Sequence, residues 1–244
     1  MTAFTLRLIA LISMLFDHIG YCFGISPLRL IGRLAFPLYV YLIVNGYRHT
    51  RNRVRYALRL GVMAIVSQIP FSLFESGKIL QLKCNVMVTL LLILLTVWGT
   101  DVLAKTHFAP CPAVVFFLIT YFGMIKCDYG CRGILLALVF WYFEDKPVLL
   151  WLGTFVSIMF YYLLSIAKFC ALFLLGRGGV FPMPDTWGFV QLFALLSLPL
   201  IQLYNGKRGY APKSPVAAKA LQYGFYWFYP VHLLILYFIA SLIK

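Results

Sequence analysis

The chain is poor in acid and poor in charge altogether. Seven Asp and Glu stand against 21 Lys and Arg, and only 11% of 244 residues are charged. A soluble domain carries about 25% charge, so a surface facing water on all sides is excluded. No Gly-x-Ser-x-Gly elbow and no zinc-type His or Cys pairing occurs, so serine-hydrolase and metalloprotease templates find no support and no metal is expected. No low-complexity linker, hydrophilic domain or clear internal repeat interrupts the chain. A signal-peptide cleavage pattern is also missing, and the first apolar run is expected to act as an uncleaved signal-anchor.

What is there is apolar. Hydrophobic residues make up 63% of the chain and the mean hydropathy is +0.91. The runs are long and continuous, without the alternating polarity of β-barrel strands. The expected fold is an all-α polytopic transmembrane helical bundle, one domain over 1–244. A spanning helix needs roughly 20 apolar residues. That rule gives about nine spans, at 6–24, 27–46, 55–74, 84–104, 111–126, 130–143, 147–170, 186–205 and 219–243. The fifth and sixth are short and read as tilted or partly re-entrant. The six cysteines lie in or beside apolar runs and read as small hydrophobes.

The net charge of +14 is gathered in short loops, which points to topology and lipid headgroups rather than nucleic acid. The most basic stretch, Arg48-His49-Thr50-Arg51-Asn52-Arg53-Val54-Arg55, follows the second span and is expected in the cytoplasm. The N-terminus is then cytoplasmic as well. The same stretch, with Arg59 one turn further, is a candidate for holding the phosphates of an anionic donor such as coenzyme A, above all through Arg48, Arg51, Arg53 and Arg55.

Ionisable residues at bilayer depth are costly and mark function. Asp17 and His18 are adjacent inside the first apolar run, and His232 lies near the middle of the last, two residues after a kinking Pro230. Arg29 and Arg33 share a face of the second span. Arg29 reads as snorkelling to the outer headgroups, and Arg33 lies one turn deeper. Asn85 opens the fourth span, and Asp128, Tyr129 and Arg132 fall in the outer turn after the fifth. The polar groups therefore gather in the outer half. Neighbouring helical residues point about 100° apart, so Asp17 need not orient His18 and is free to hold Arg33. His18 suits general-base work, and Arg33 or Asn85 suits oxyanion stabilisation. Singly, each of these residues also fits a structural role. Together they fit a membrane transferase, a proton-coupled transporter using Asp17 and His18, or a scaffold.

The motifs then narrow the reading. Asp17-His18-Ile19, Gly32-Arg33-Leu34-Ala35-Phe36-Pro37, Asn85-Val86-Met87-Val88-Thr89, Tyr129-Gly130-x-x-Gly133 and Tyr229-Pro230-Val231-His232 occur in this order. In order and spacing the chain resembles the TraX family of F-pilin acetylase-like membrane acyltransferases, over nearly its whole length. That resemblance implies acetyl transfer in a bacterial cytoplasmic membrane. The donor would be cytoplasmic acetyl-CoA, and the acceptor an amine or hydroxyl of a pilin-like secreted peptide or surface glycan. It implies His18 as base or acyl relay, supported by Asp17 and Arg33. It also implies a site lined by Asn85, Asp128, Tyr129 and His232.

Overall fold

A computed structural model describes residues 1–104, 127, 129–175, 181–183 and 186–243. The expected fifth span and Asp128 lie outside the described residues. In chain order the helices are α1 (Ala3–Phe23), α2 (Ser26–Gly32), α3 (Ala35–His49), α4 (Arg53–Val66), α5 (Gln68–Ser76) and α6 (Val86–Leu103). There follow α7 (Cys131–Phe143), α8 (Pro147–Ile158), α9 (Phe160–Leu174), α10 (Thr186–Gln191), a 3₁₀ turn (Leu192–Leu196), α11 (Ser197–Gln202) and α12 (Pro215–Ile243). The fold is all-α among the described residues, with a single isolated backbone bridge between Cys84 and Cys127.

Among the described residues, three helical stretches are long and apolar enough to cross a membrane: Ala3–Phe23, Ser26–His49 and Pro215–Ile243. Two bent pairs raise the number to five if each is one span: Arg53–Val66 with Gln68–Ser76, at 41°, and Pro147–Ile158 with Phe160–Leu174, at 73°. Val86–Val102, Cys131–Phe143 and Gly188–Gln202 are apolar but shorter. The continuous runs read from the sequence are thus broken in several places, and proline explains most of the breaks. A proline removes the N–H that would bond four residues back, and its ring crowds that carbonyl. Pro37 meets Arg33, where α2 gives way to α3. Pro70 meets Val66, where α4 gives way to α5, and Pro199 meets Leu195 at the 3₁₀ turn.

Local capping fixes the ends. Thr2 accepts from the Thr5 N–H at the start of α1, and Gly24 closes α1 in the left-handed region at φ 69°. Helix α3 runs through the centre: Leu38, Val40, Tyr41, Leu42, Ile43, Val44 and Tyr47 are all buried. Its C-terminal half is clamped by the scarce acids. Tyr41 Oη donates to Glu144 Oε1 at 2.7 Å and Tyr47 Oη donates to Asp101 Oδ2 at 2.7 Å. Such charge-assisted bonds are short and strong. They tie α3 to α6 and α7, while α1 packs against it.

Candidate active site

Two glycines let α2 lie against α1. A Cβ on Gly20 would stand 2.8 Å from the Ile25 carbonyl and 3.1 Å from Arg29 Cγ. A Cβ on Gly32 would run into the backbone and side chain of Asp17. This close approach brings both arginines of the second span to one carboxylate. Arg29 Nε stands 3.1 Å from Asp17 Oδ1, and Arg33 Nη2 also pairs with that oxygen. Arg33 Nε donates back to the Arg29 carbonyl at 3.3 Å. Arg29 therefore does not snorkel as expected. It is drawn inward by Asp17, with its guanidinium over the Tyr21 ring at 5.1 Å.

Asp17 is committed to the arginines, and His18 turns to α12. His18 Nδ1 and His232 Nε2 are 2.7 Å apart, with the two rings stacked at 26°. The other ring nitrogen of His232, Nδ1, lies 2.7 Å from the Phe228 carbonyl. A carbonyl can only accept, so His232 Nδ1 carries the proton. With both rings neutral, His232 Nε2 must then accept from His18 Nδ1–H. This partner logic leaves Nε2 of His18 with its lone pair, the form that a general base needs. Phe74 from α5 meets the His18 ring edge-on at 5.4 Å, and the Phe228 ring stacks on His232 at 4.8 Å. His232 itself is only 5% exposed. Side chains of α1, α2 and α12 thus meet, as two adjoining clusters rather than one.

A third group borders Arg33. Tyr129 lies flat on Phe36, with centroids 3.5 Å apart and planes 1° apart. Arg33, Phe36, Tyr129 and Arg132 line a cleft of about 30 Å³, room for a water. Gly130 takes φ 51°, a left-handed value that favours glycine, and Gly133 faces Phe36, with 3.0 Å from a would-be Cβ to Cζ. Arg132 also reaches over the Tyr161 ring at 5.1 Å. Asp128, expected beside Tyr129, lies outside the described residues.

Asn85 is not brought to the histidines. It is fully buried and its side-chain oxygen caps α6, accepting from Met87 N at 2.9 Å and Val88 N at 3.3 Å. Its amide donates to the Ala64 carbonyl and to Gln68 Oε1, each at 2.8 Å. None of these bonds runs to His18 or His232. An Asn just before an apolar run is a helix-start signal that the sequence carried.

The four loop arginines also divide. Arg48 pairs with Glu144 and donates to the Trp141 carbonyl at 2.9 Å. Arg53 pairs with Asp101 at 3.1 Å and covers the Tyr47 ring. Arg51 and Arg55 are exposed. Two of the four cations are therefore neutralised by carboxylates and poorly placed to take phosphate. Among the described residues, no three His, Cys, Asp or Glu side chains converge as a metal ion would require.

Comparison with known proteins agrees with these motifs. Residues 3–240 match the family model described as TraX protein, so the chain belongs to the TraX family. It is also similar to a Dichelobacter nodosus protein described as probable fimbrial assembly protein FimC, serogroup H1. The two are 28% identical over 251 aligned positions, covering 96% of this chain and 94% of the relative. No solved structure matches.

Proposed function

We propose that this TraX-family chain is a multi-pass membrane acetyltransferase, with His18 as its general base. The acetyl group passes from cytoplasmic acetyl-CoA to an acceptor on the outer side. A neutral acceptor amine attacks the thioester carbonyl while His18 Nε2 takes the amine proton. The C–N bond forms, the C–S bond breaks, and the proton returns to the departing thiolate. His232 holds the His18 ring in the required tautomer. Asp17 and Arg33 hold α2 beside it, and Tyr129 lies on the acceptor side. The domain is the whole chain, with about nine spans and a cytoplasmic N-terminus. In this reading the shorter apolar helices cross as well.

The observation that carries the reading is the His18–His232 hydrogen bond between apolar helices 214 residues apart in sequence. A base poised within the membrane serves a reaction whose substrates approach from opposite faces. The fimbrial relative supports a pilin-like peptide N-terminus as acceptor. The test is His18→Ala in purified, reconstituted protein, with acetyl transfer to a peptide amine measured by mass spectrometry. The variant should keep its elution profile and lose about 10²–10⁴-fold in rate. Wild-type-like turnover in the folded variant would remove His18 from the mechanism.

A further inference from the structure

A sizeable cavity lies away from His18 and His232, and its charge is one-sided. It has a volume of about 530 Å³, within the ordinary range of roughly 300–1,000 Å³ for small-ligand sites. Arg7 of α1, Arg59 of α4 and Arg208 of the segment before α12 all line it, and no Asp or Glu does. Among the described residues none of these three arginines has a carboxylate partner, whereas Arg29, Arg33, Arg48 and Arg53 each do. Arg59 Nε is buried without a hydrogen-bond partner among the described residues. A buried donor left unmade is costly in a structure that serves stability alone.

The three cations converge because the chain is pinned there. Ala3 N donates to the Lys207 carbonyl at 2.9 Å and Phe4 N to the Arg208 carbonyl at 3.1 Å. Asn205 N donates to the Met1 carbonyl at 2.9 Å. Gly209, at φ 81°, lies directly against Thr2, where a side chain would collide. The first N–H groups of α1 are thus satisfied by the very segment that carries Arg208 across the cavity mouth. Arg7 and Arg208 are exposed there, while Arg59 is half-buried. Tyr39, Tyr56 and Tyr226 line the walls, and such rings offer faces for stacking a base.

Axial spacing selects the kind of ligand. Arg7 and His18 are eleven residues apart on α1, roughly 16 Å along the axis, and Tyr226 and His232 are about 9 Å apart on α12. A small acyl phosphate keeps its carbonyl beside its phosphate and cannot bridge that separation. A donor with phosphates at one end and a thioester at the end of a flexible arm can. We propose that this cavity is the donor site, with Arg7, Arg59 and Arg208 holding the phosphates of an acyl-CoA whose arm reaches inward toward His18. The proposal rests on the transferase reading and moves the donor from the Arg48–Arg55 loop to a cavity built from three segments, keeping Arg59 of the basic stretch.

The test is calorimetric binding of CoA, and of phosphate-free pantetheine, to the full chain in phosphatidylcholine nanodiscs, with steady-state acetyl transfer alongside. Arg7→Gln/Arg208→Gln and Arg59→Gln should each weaken CoA about ten- to hundredfold. Both should leave pantetheine binding unchanged and raise KM for acetyl-CoA more than they lower kcat. Ala218→Trp, which fills the cavity without altering charge, should weaken both ligands. CoA binding unaffected by all three variants, with transfer intact, would overturn the site and leave the transferase reading standing. A wild-type protein that neither binds CoA nor transfers acetyl would overturn both. Nanodiscs containing phosphatidylglycerol separate the other source of phosphate. Loss of CoA binding there, restored at equal ionic strength in phosphatidylcholine, would assign the cavity to a lipid headgroup instead.

Discussion

Replacing Asp17 with Asn removes the one carboxylate shared by Arg29 and Arg33. At 3.1 Å and an effective dielectric of about 20, the Arg29–Asp17 pair contributes roughly 5 kcal/mol of Coulomb attraction before desolvation. Much of that offsets the cost of taking the ions from water, so the net value of the cluster is small. Breaking it is another matter. Arg33 is only 7% exposed and would stay behind as a cation beside a second cation. Removing one partner of a buried pair costs about 3–5 kcal/mol. For a chain of this size that is a fall of roughly 6–20 °C in melting temperature. Arg33→Met should cost less, because Asp17 keeps Arg29, and Arg29→Gln should cost least. Asp17→Leu/Arg33→Leu should recover part of the loss, since it leaves one cation without its carboxylate where Asp17→Asn leaves two side by side. The assay is thermal unfolding of the four variants in one detergent, followed by tryptophan fluorescence. A loss below about 1 kcal/mol for Asp17→Asn would refute the shared-carboxylate argument. So would equal losses for Asp17→Asn and Arg29→Gln.

Further outcomes follow from the other clusters. His232→Ala should lower kcat about 10²-fold with little change in KM, because His18 stays in place but loses the partner that sets its tautomer; an equal rise in KM would show that His232 binds substrate. Asn85→Ala should lower the melting temperature, by loss of a cap worth about 1 kcal/mol and of two buried amide bonds, while turnover per folded molecule holds. Gly209→Ala forces a side chain onto a positive φ and against Thr2, and should raise KM for acetyl-CoA with kcat unchanged by displacing Arg208; an unchanged KM would separate the segment from donor binding.

The contrast between Asp17 and Arg208 shows what the sequence could and could not disclose. Asp17 and His18 stood out because an ionisable pair in an apolar run violates the pattern around it. The helical angle between them already allowed their separation into an arginine cluster and a histidine pair. His232 was visible for the same reason. The breaks at Arg33, Val66 and Leu195 fall four residues before Pro37, Pro70 and Pro199, but the apolar runs around them read as continuous spans. The 73° bend near Met159 has no proline or glycine beside it and no signal in the sequence. Arg7 carried no local signal, Arg208 reads with Lys207 and Lys213 as a topogenic loop, and Arg59 stood out only as the far end of the basic stretch. Their common purpose exists only once backbone bonds fold residues 205–208 onto the N-terminus. The basic loop drew attention because its charges are adjacent, yet two of its members answer Asp101 and Glu144. In a chain with so few acids, the informative cations are those to which no acid has been assigned, and charge density along the sequence does not find them.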